Sequence, residues 1–71
     1  MVFFKDVPIN SEFIEQSWGS GINKNVLSSI KYRKITKSEA IAIDATGLYN
    51  INHVRGKYYF APFRKIDYKG V

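Results

Sequence analysis

The chain of 71 residues has no cysteine, two prolines, one histidine and no long apolar run. The absence of cysteine excludes a disulfide framework and zinc sites with cysteine ligands, and it is consistent with a reducing compartment. Because no apolar run approaches ~18 residues and no charged-then-apolar leader is evident, the sequence predicts neither a membrane span nor export. We therefore expect a cytoplasmic protein.

The small size limits the core that the chain can build. A single domain over residues 1–71 buries only roughly 60% of the surface that the unfolded chain exposes. Aromatic residues make up 15% of the sequence, and each ring can bury on the order of 150 Å² or more. Without disulfides or a metal site, stability must come mainly from these rings.

Acidic residues are fewer than basic ones, and the formal net charge is +5. The surplus falls on residues 23–71, because Lys5 is outnumbered by Asp6, Glu12 and Glu15 in residues 1–22. Such a surplus favours phosphate backbones or acidic protein surfaces as partners. Solubility alone is an equally good explanation of a high isoelectric point.

Cations and rings are interleaved in residues 57–66, which read as a strand, a turn and the start of another strand. Alternation places Tyr58 and Phe60 on one face, and Lys57 and Tyr59 on the other. If Phe60 belongs to the core, Tyr58 goes with it and Tyr59 is exposed. The stretch therefore predicts a small β-domain with a basic, aromatic surface.

Short alternating segments separated by turn residues recur roughly every ten residues. Residues 24–31 are ambiguous, because Val26, Leu27 and Ile30 have helical spacing, but Tyr32 and Ile35 favour a strand over 30–36. Pro62 is expected to end the strand before it. The predicted strands are 12–18, 30–36, 40–45, 48–52, 57–60 and 63–68, with 48–52 and 57–60 forming a hairpin.

This pattern predicts a mainly β fold with five or six strands and at most one short helical turn. An SH3-like barrel is the first choice and an OB-like barrel the alternative. In the apolar start of the chain, Phe3 and Phe4 cannot point the same way in extended backbone, so at least one of them should be anchored in the core.

Three segments resemble small uncharacterised proteins of tailed phages, cyanophages included. They are residues 4–13, which match an aromatic-x-Asp-Leu-Pro-x-Gly-x-x-Phe opening, residues 32–40, and the closing Tyr-Phe of residues 58–62. Asn10 stands where the family has glycine, the loop over 19–29 is longer, and residues 53–56 are inserted. Asn is the next-best residue at positive φ. The resemblance implies a small β-barrel in the host cytoplasm and carries over no catalytic residue.

No catalytic or metal-binding pattern is evident. His53 is the only histidine and has no triad partners in the sequence, and the six carboxylates are scattered. Asp44 follows an apolar run, where burial would raise its pKa, but exposure on a strand is the more common situation. We therefore predict that the chain is not an enzyme and needs no cofactor or metal.

The remaining function classes are two kinds of binding module. The first binds a host or virion protein through a basic, aromatic face. The alternative binds single-stranded RNA or DNA, because residues 55–60 partly resemble the basic-Gly-aromatic motif of RNA-recognition strands. Edge strands also make a homodimer reasonable. The candidate binding face comprises Trp18, Lys31, Arg33, Arg55, Lys57, Tyr59, Arg64 and Lys65.

Overall fold

The computed structural model describes residues 1–68, which form six strands joined by short turns. Within these residues, helical structure is confined to the four-residue helix α1 and to two three-residue 3-10 turns, Phe4–Asp6 and Gly21–Asn23. The elements in chain order are β1 (Val2–Phe3), β2 (Glu12–Trp18), β3 (Leu27–Lys34), β4 (Glu39–Thr46), α1 (Ile51–Val54), β5 (Gly56–Tyr59) and β6 (Lys65–Ile66).

The strands form two antiparallel sheets. One is four-stranded in the order β2-β3-β4-β5, and the other is the pair β1-β6. Side chains on either side of β6 link it to β2 and to the residue before β2. Arg64 donates to Glu15 at 2.6 Å, and the Tyr68 hydroxyl donates to Ser11 Oγ at 3.3 Å. The predicted mainly β fold of five or six strands is confirmed, whereas residues 1–68 do not close into a barrel. The SH3-like or OB-like assignment stays a prediction.

Four rings build much of the core: two lie in β2 and β3, one lies in the Phe4–Asp6 turn, and one directly follows β5. Phe4 and Phe60 are fully buried and stacked, with centroids 4.9 Å apart, and Phe13 and Tyr32 pack edge-on against Phe60 at 5.4 and 5.2 Å. Offset and edge-to-face ring pairs of this kind add to the stabilisation from buried area. The prediction that at least one of the two adjacent phenylalanines is anchored is confirmed, because Phe4 is buried while Phe3 is exposed.

The ambiguous segment 24–31 is resolved in favour of a strand. β3 begins at Leu27 and ends at Lys34, three residues earlier than the predicted start and two earlier than the predicted end. Pairing with β2 along its whole length supplies ladder hydrogen bonds that a short isolated helix could not match. The helical alternative over 24–31 was therefore wrong.

The predicted hairpin of 48–52 with 57–60 is also wrong. Gly47 turns the chain at φ +72°, and the Asn50 side chain then accepts a hydrogen bond from the N–H of Asn52 at 2.9 Å, which caps α1. Ile51 packs against the core from this helix. Consequently β5 pairs with β4 instead, and it ends at Tyr59, before Pro62 as expected.

The turn before β2 depends on Asn10, which has φ +74°. Its N–H donates to the Lys34 carbonyl at 2.7 Å. Asn tolerates this left-handed region better than other residues with a Cβ. Asn10 therefore supplies the left-handed backbone conformation that this turn requires.

In the described part of the chain, no helix has the length and apolar character needed to cross a bilayer.

Candidate binding face

One face of the four-stranded sheet is turned away from the core. Phe13, Tyr32 and Ala42 point inward and are buried, so the alternate residues of the same strands form what we call the outer face. Cross-strand register defines its members. They are Glu12, Ile14, Gln16 and Trp18 in β2, Leu27, Ser29, Lys31 and Arg33 in β3, Glu39, Ile41, Ile43, Asp44 and Thr46 in β4, and Lys57 and Tyr59 in β5.

Five of the eight predicted site residues lie on the outer face. Lys31 and Arg33 occupy its centre, and Lys57 lies on the same row as Arg33 with Ile41 between them. Trp18 is 65% exposed and Tyr59 70% exposed, which confirms the expected exposure of Tyr59. The structure thus brings these five side chains onto one face.

The other three predicted residues lie elsewhere. Arg55 caps the end of α1, directly before β5, and borders the outer face. Arg64 is drawn to the opposite side of the sheet, where it pairs with Glu15 and its guanidinium lies 4.6 Å from the centre of the Phe60 ring. Lys65 belongs to β6 and pairs with Phe3 of β1. The turn at Pro62 separates these last two cations from β5, so they do not join its face.

Much of the charge at the centre of the outer face is already neutralised. Glu12 accepts a hydrogen bond from Arg33 at 2.8 Å and lies 3.5 Å from the Lys31 ammonium. The Arg33 hydrogen bond, aided by Lys31, lowers the pKa of the Glu12 carboxyl below its ordinary value. With Glu39 and Asp44 also on this face, its carboxylates equal its cations in number.

The outer face also contains aliphatic side chains that the sequence analysis had not assigned to it. Ile14 is 42% exposed and Leu27 41%, and the register shift between Lys31 and Tyr32 leaves Ile43 as the extra residue of a β-bulge, also exposed. The signal was present in the alternation of residues 12, 14, 16 and 18. The acid at position 15, which points to the inner side, obscured it.

The two exposed rings lie at opposite corners of the outer face. Trp18 ends β2 beside the 19–26 loop, whereas Tyr59 ends β5, the other edge strand, beside the β3–β4 turn. At the usual rise per residue of a β-strand, the two rings are separated by roughly 25 Å along the strand direction. One base or small ligand therefore cannot touch both rings, but a macromolecular surface can.

On the inner side, a polar cleft of about 280 Å³ lies between the far halves of β2 and β3 and the segment around Tyr49. Glu15 and Arg64 pair across it, and the Ser17 and Tyr49 hydroxyls lie 3.1 Å apart. Burial, aided by the charge of Glu15, raises the pKa of the Tyr32 phenol at its base. The charged groups of the cleft satisfy each other, so it offers no unpaired charge to a ligand.

Lys34 is the residue whose position the sequence analysis missed. It lies on the inner side of β3, only 2% exposed, and its ammonium donates to the Phe4 carbonyl at 2.7 Å and lies 4.4 Å from the centre of the Phe4 ring. Burial lowers its pKa, an effect that Asp6 partly opposes. Its alternation with Tyr32 was the available signal. This cation is a structural one and cannot contact a partner.

The residues considered for chemistry are dispersed. His53 is exposed on α1, and Asp44 is exposed, accepting from the N–H of Ala45 at 2.8 Å. The interpretation of Asp44 as an exposed strand residue is confirmed. Within residues 1–68 no three histidine, aspartate or glutamate side chains are grouped so as to hold a metal ion.

Comparison of the chain with protein-family models, with curated proteins and with solved structures gave no match.

Proposed function

We propose that this chain is a small non-catalytic binding module whose outer face binds another protein. The observation that supports the proposal best is the composition of that face. Exposed Trp18 and Tyr59 flank exposed aliphatic residues and an ion-paired centre. Trp, Tyr and Arg are the residues enriched at the energetic centres of protein interfaces.

The exposed aliphatic groups favour a protein partner. Ile14 and Ile43 lie on either side of Lys31, and Leu27 lies opposite Trp18. Exposed apolar side chains that share one face with polar residues around them are typical of protein interaction sites. These groups therefore support a partner with apolar side chains of its own.

The balance of charge on the outer face argues against a phosphate backbone as its partner. Binding of nucleic acid requires free cations that replace condensed counterions. Here Lys31 and Arg33 are held by Glu12, and Glu39 and Asp44 add further negative charge. Single-stranded RNA or DNA is accordingly the alternative partner, and the experiment must distinguish it from a protein partner.

The resemblance to small tailed-phage proteins gives the proposal its biological setting. A phage-encoded module of this size would act in the host cytoplasm on a host or virion protein. The motifs that carry the resemblance run from the Phe4–Asp6 turn to the start of β2, from the end of β3 to the start of β4, and through the end of β5, so they include parts of the outer face.

Site-specific photo-crosslinking in cells that produce the chain tests the proposal. Gln16, exposed between Ile14 and Trp18, is replaced by benzoylphenylalanine, and Phe63, which is 67% exposed next to Phe3, is replaced by the same residue as a control. We expect a protein adduct of defined mass from position 16 and none from position 63.

Two outcomes contradict the proposal. Equal adducts from both positions, or none from position 16, would show that the outer face has no dedicated partner. An adduct that nuclease removes, together with retardation of mixed oligonucleotides that weakens steeply with salt, would establish the nucleic-acid alternative instead.

A further inference from the structure

β5 is an edge strand that the described chain leaves uncovered. It pairs with β4 on one side only, and no other strand of residues 1–68 pairs with it. Lys57, Tyr58 and Tyr59 are all exposed. An uncovered edge presents backbone donors and acceptors to any strand that approaches it.

The hydrogen-bonding pattern between β4 and β5 shows which backbone groups of β5 point away from β4. Phe60 donates its N–H to Ser38 at 2.8 Å, so in this register Tyr58 and Gly56 are the next residues bonded to β4. The N–H and C=O groups of Lys57 and Tyr59, which alternate with them, are directed away from β4. They form two evenly spaced donor–acceptor pairs along the free edge.

Three cations without ion pairs in the described chain surround this edge. Arg55 precedes β5, Lys57 lies within it, and Lys37 lies in the β3–β4 turn, next to the residue that accepts from Phe60. The other exposed cations of the outer face both pair with Glu12. Within residues 1–68, three of the five exposed Lys and Arg side chains without ion pairs therefore lie along β5, while Lys24 and Lys65 lie elsewhere.

We propose that an extended, acidic segment of the partner protein adds to the β5 edge as a fifth strand of this sheet. The inference rests on the proposed function and names the part of the partner that is recognised. The segment's backbone pairs with Lys57 and Tyr59, which is the mode of recognition known as strand addition. Carboxylates at its outward positions face Lys57, and an apolar side chain between them faces Tyr58.

A second copy of this chain fits the edge less well. A second copy joined through β5 alone would cover far less surface than the roughly 1,200 Å² that stable interfaces bury, whereas the proposed partner protein also contacts the outer face. Two copies would also bring two sets of Arg55, Lys57 and Lys37 together, and like charges in proximity oppose association. An acidic segment meets both the hydrogen-bonding and the charge requirement.

Amide-resolved NMR with a designed peptide tests the inference. The probe is acetyl-Thr-Glu-Val-Glu-Val-Glu-Thr-amide, added to the isotope-labelled full-length chain. We expect the amide signals of Lys57 and Tyr59 to shift and their hydrogen exchange to slow, because their N–H groups become bonded. The matched peptides have lysine in place of glutamate, or N-methyl groups on alternate amides, and both should bind at least about threefold more weakly.

A pair of variants isolates the backbone contribution. Tyr59→Pro removes the outward N–H without removing a bond to β4, whereas Tyr59→Ala removes the ring and keeps the N–H. We expect Tyr59→Pro to bind the peptide about threefold to tenfold more weakly than Tyr59→Ala. If Tyr59→Pro fails to fold, the N-methylated peptide on the unaltered chain makes the same comparison.

The outcomes distinguish this inference from the proposed function. Unprotected Lys57 and Tyr59 amides, or equal binding of the N-methylated peptide, would overturn strand addition. Persistence of the position-16 protein adduct in Tyr59→Pro at the level of Tyr59→Ala would also overturn it, while leaving the proposed function in place. Absence of any specific protein adduct from the unaltered chain would instead contradict the proposed function itself.

Discussion

Two adjacent cations on β3 are in different environments on the two faces of the four-stranded sheet. Lys34 points inward, is 2% exposed and bonds to the Phe4 carbonyl, whereas Arg33 points outward and pairs with Glu12 at 2.8 Å in contact with water. Inside, a cation must be satisfied by backbone and ring because it has lost its hydration. Outside, the cation keeps its contact with water, so a charged group of a partner can replace its ion-pair partner or join the pair.

The aromatic residues divide in the same way. Phe13, Tyr32 and Phe60 contact one another inside, with centroids 5.2 to 5.4 Å apart, while Trp18 and Tyr59 have no ring partner within the described chain. The inner rings stabilise the fold, and the outer rings are available for binding. The comparison predicts that substitutions of inner residues will lower stability, whereas substitutions of outer residues will weaken binding.

The largest expected effect comes from removing an inner ring. Phe60→Ala should lower the free energy of unfolding by about 3–5 kcal/mol, because it leaves a cavity among Phe4, Phe13 and Tyr32. Urea unfolding followed by circular dichroism measures the change. Phe63→Ala, three residues away but 67% exposed, is the control and should cost less than about 1 kcal/mol. Equal losses would show that Phe60 is not the centre of the core.

The second effect concerns the turn that follows β4. A Cβ at Gly47, where φ is +72°, would lie 2.6 Å from the Cα and Oγ of Ser28, so Gly47→Ala should cost about 2–4 kcal/mol. Gly21 has φ +61° but open space around it, and Gly21→Ala should cost only about 1 kcal/mol. Thermal unfolding of both variants makes the comparison, and a similar cost for the two would refute the close approach at Ser28.

A smaller effect should distinguish the two cations of β3. Lys34→Met keeps the length of the side chain but leaves the Phe4 carbonyl without its donor, at a cost of about 1–3 kcal/mol. Arg33→Met breaks only an exposed pair, which contributes about 0–1 kcal/mol. Urea titrations near neutral pH compare them. A greater loss from Arg33→Met would mean that the outer ion pairs, not the buried cation, hold the sheet.

The same pair of variants tests the pKa of Lys34. Because burial lowers its folded-state pKa below 10.5, the unfolded chain binds the proton more tightly between the two values. The free energy of unfolding should therefore rise as pH increases toward about 10, and this rise should be absent from Lys34→Met but retained in Arg33→Met. Measurements must stay below the range where Tyr32, whose pKa is raised, contributes the opposite slope.

The smallest stability effect is expected at the corner of the outer face. Trp18 is 65% exposed, so Trp18→Ala should change the free energy of unfolding by less than about 0.5 kcal/mol. The yield of the position-16 adduct should nevertheless fall severalfold, because large aromatic residues contribute most to interfaces. Chemical unfolding and crosslinking on the same preparation check both parts. A large loss of stability would reassign Trp18 to the fold.

Sequence reasoning was most successful where side-chain alternation was regular. It predicted β2 with its bounds, a mainly β fold of five or six strands, and the opposite orientation of Tyr58 and Tyr59. It was wrong about residues 48–52, because a capping asparagine and Ile51 on the core stabilise a helix there. The same alternation that predicts a strand does not reveal which neighbour will pair with it.

The candidate site was predicted only in part for a similar reason. Lys31, Arg33, Lys57 and Tyr59 share a face because alternation within each strand and the register between strands agree. Arg64 was assigned to that face on its proximity in sequence to the aromatic stretch, but Glu15 holds it on the other side. Because the chain turns at Pro62, residues that are close in sequence on either side of the turn do not share a face.

The sequence by itself determined the reliance on aromatic rings for the core and the alternation that sorts residues to the two sides of each strand, since both follow from composition and backbone geometry. Only the tertiary structure decided that Lys34 is buried, that Glu12 pairs with two cations, and that β5 is an uncovered edge within residues 1–68. Those outcomes depend on cross-strand register and on the packing of the two sheets, which bring together residues that are distant in the chain.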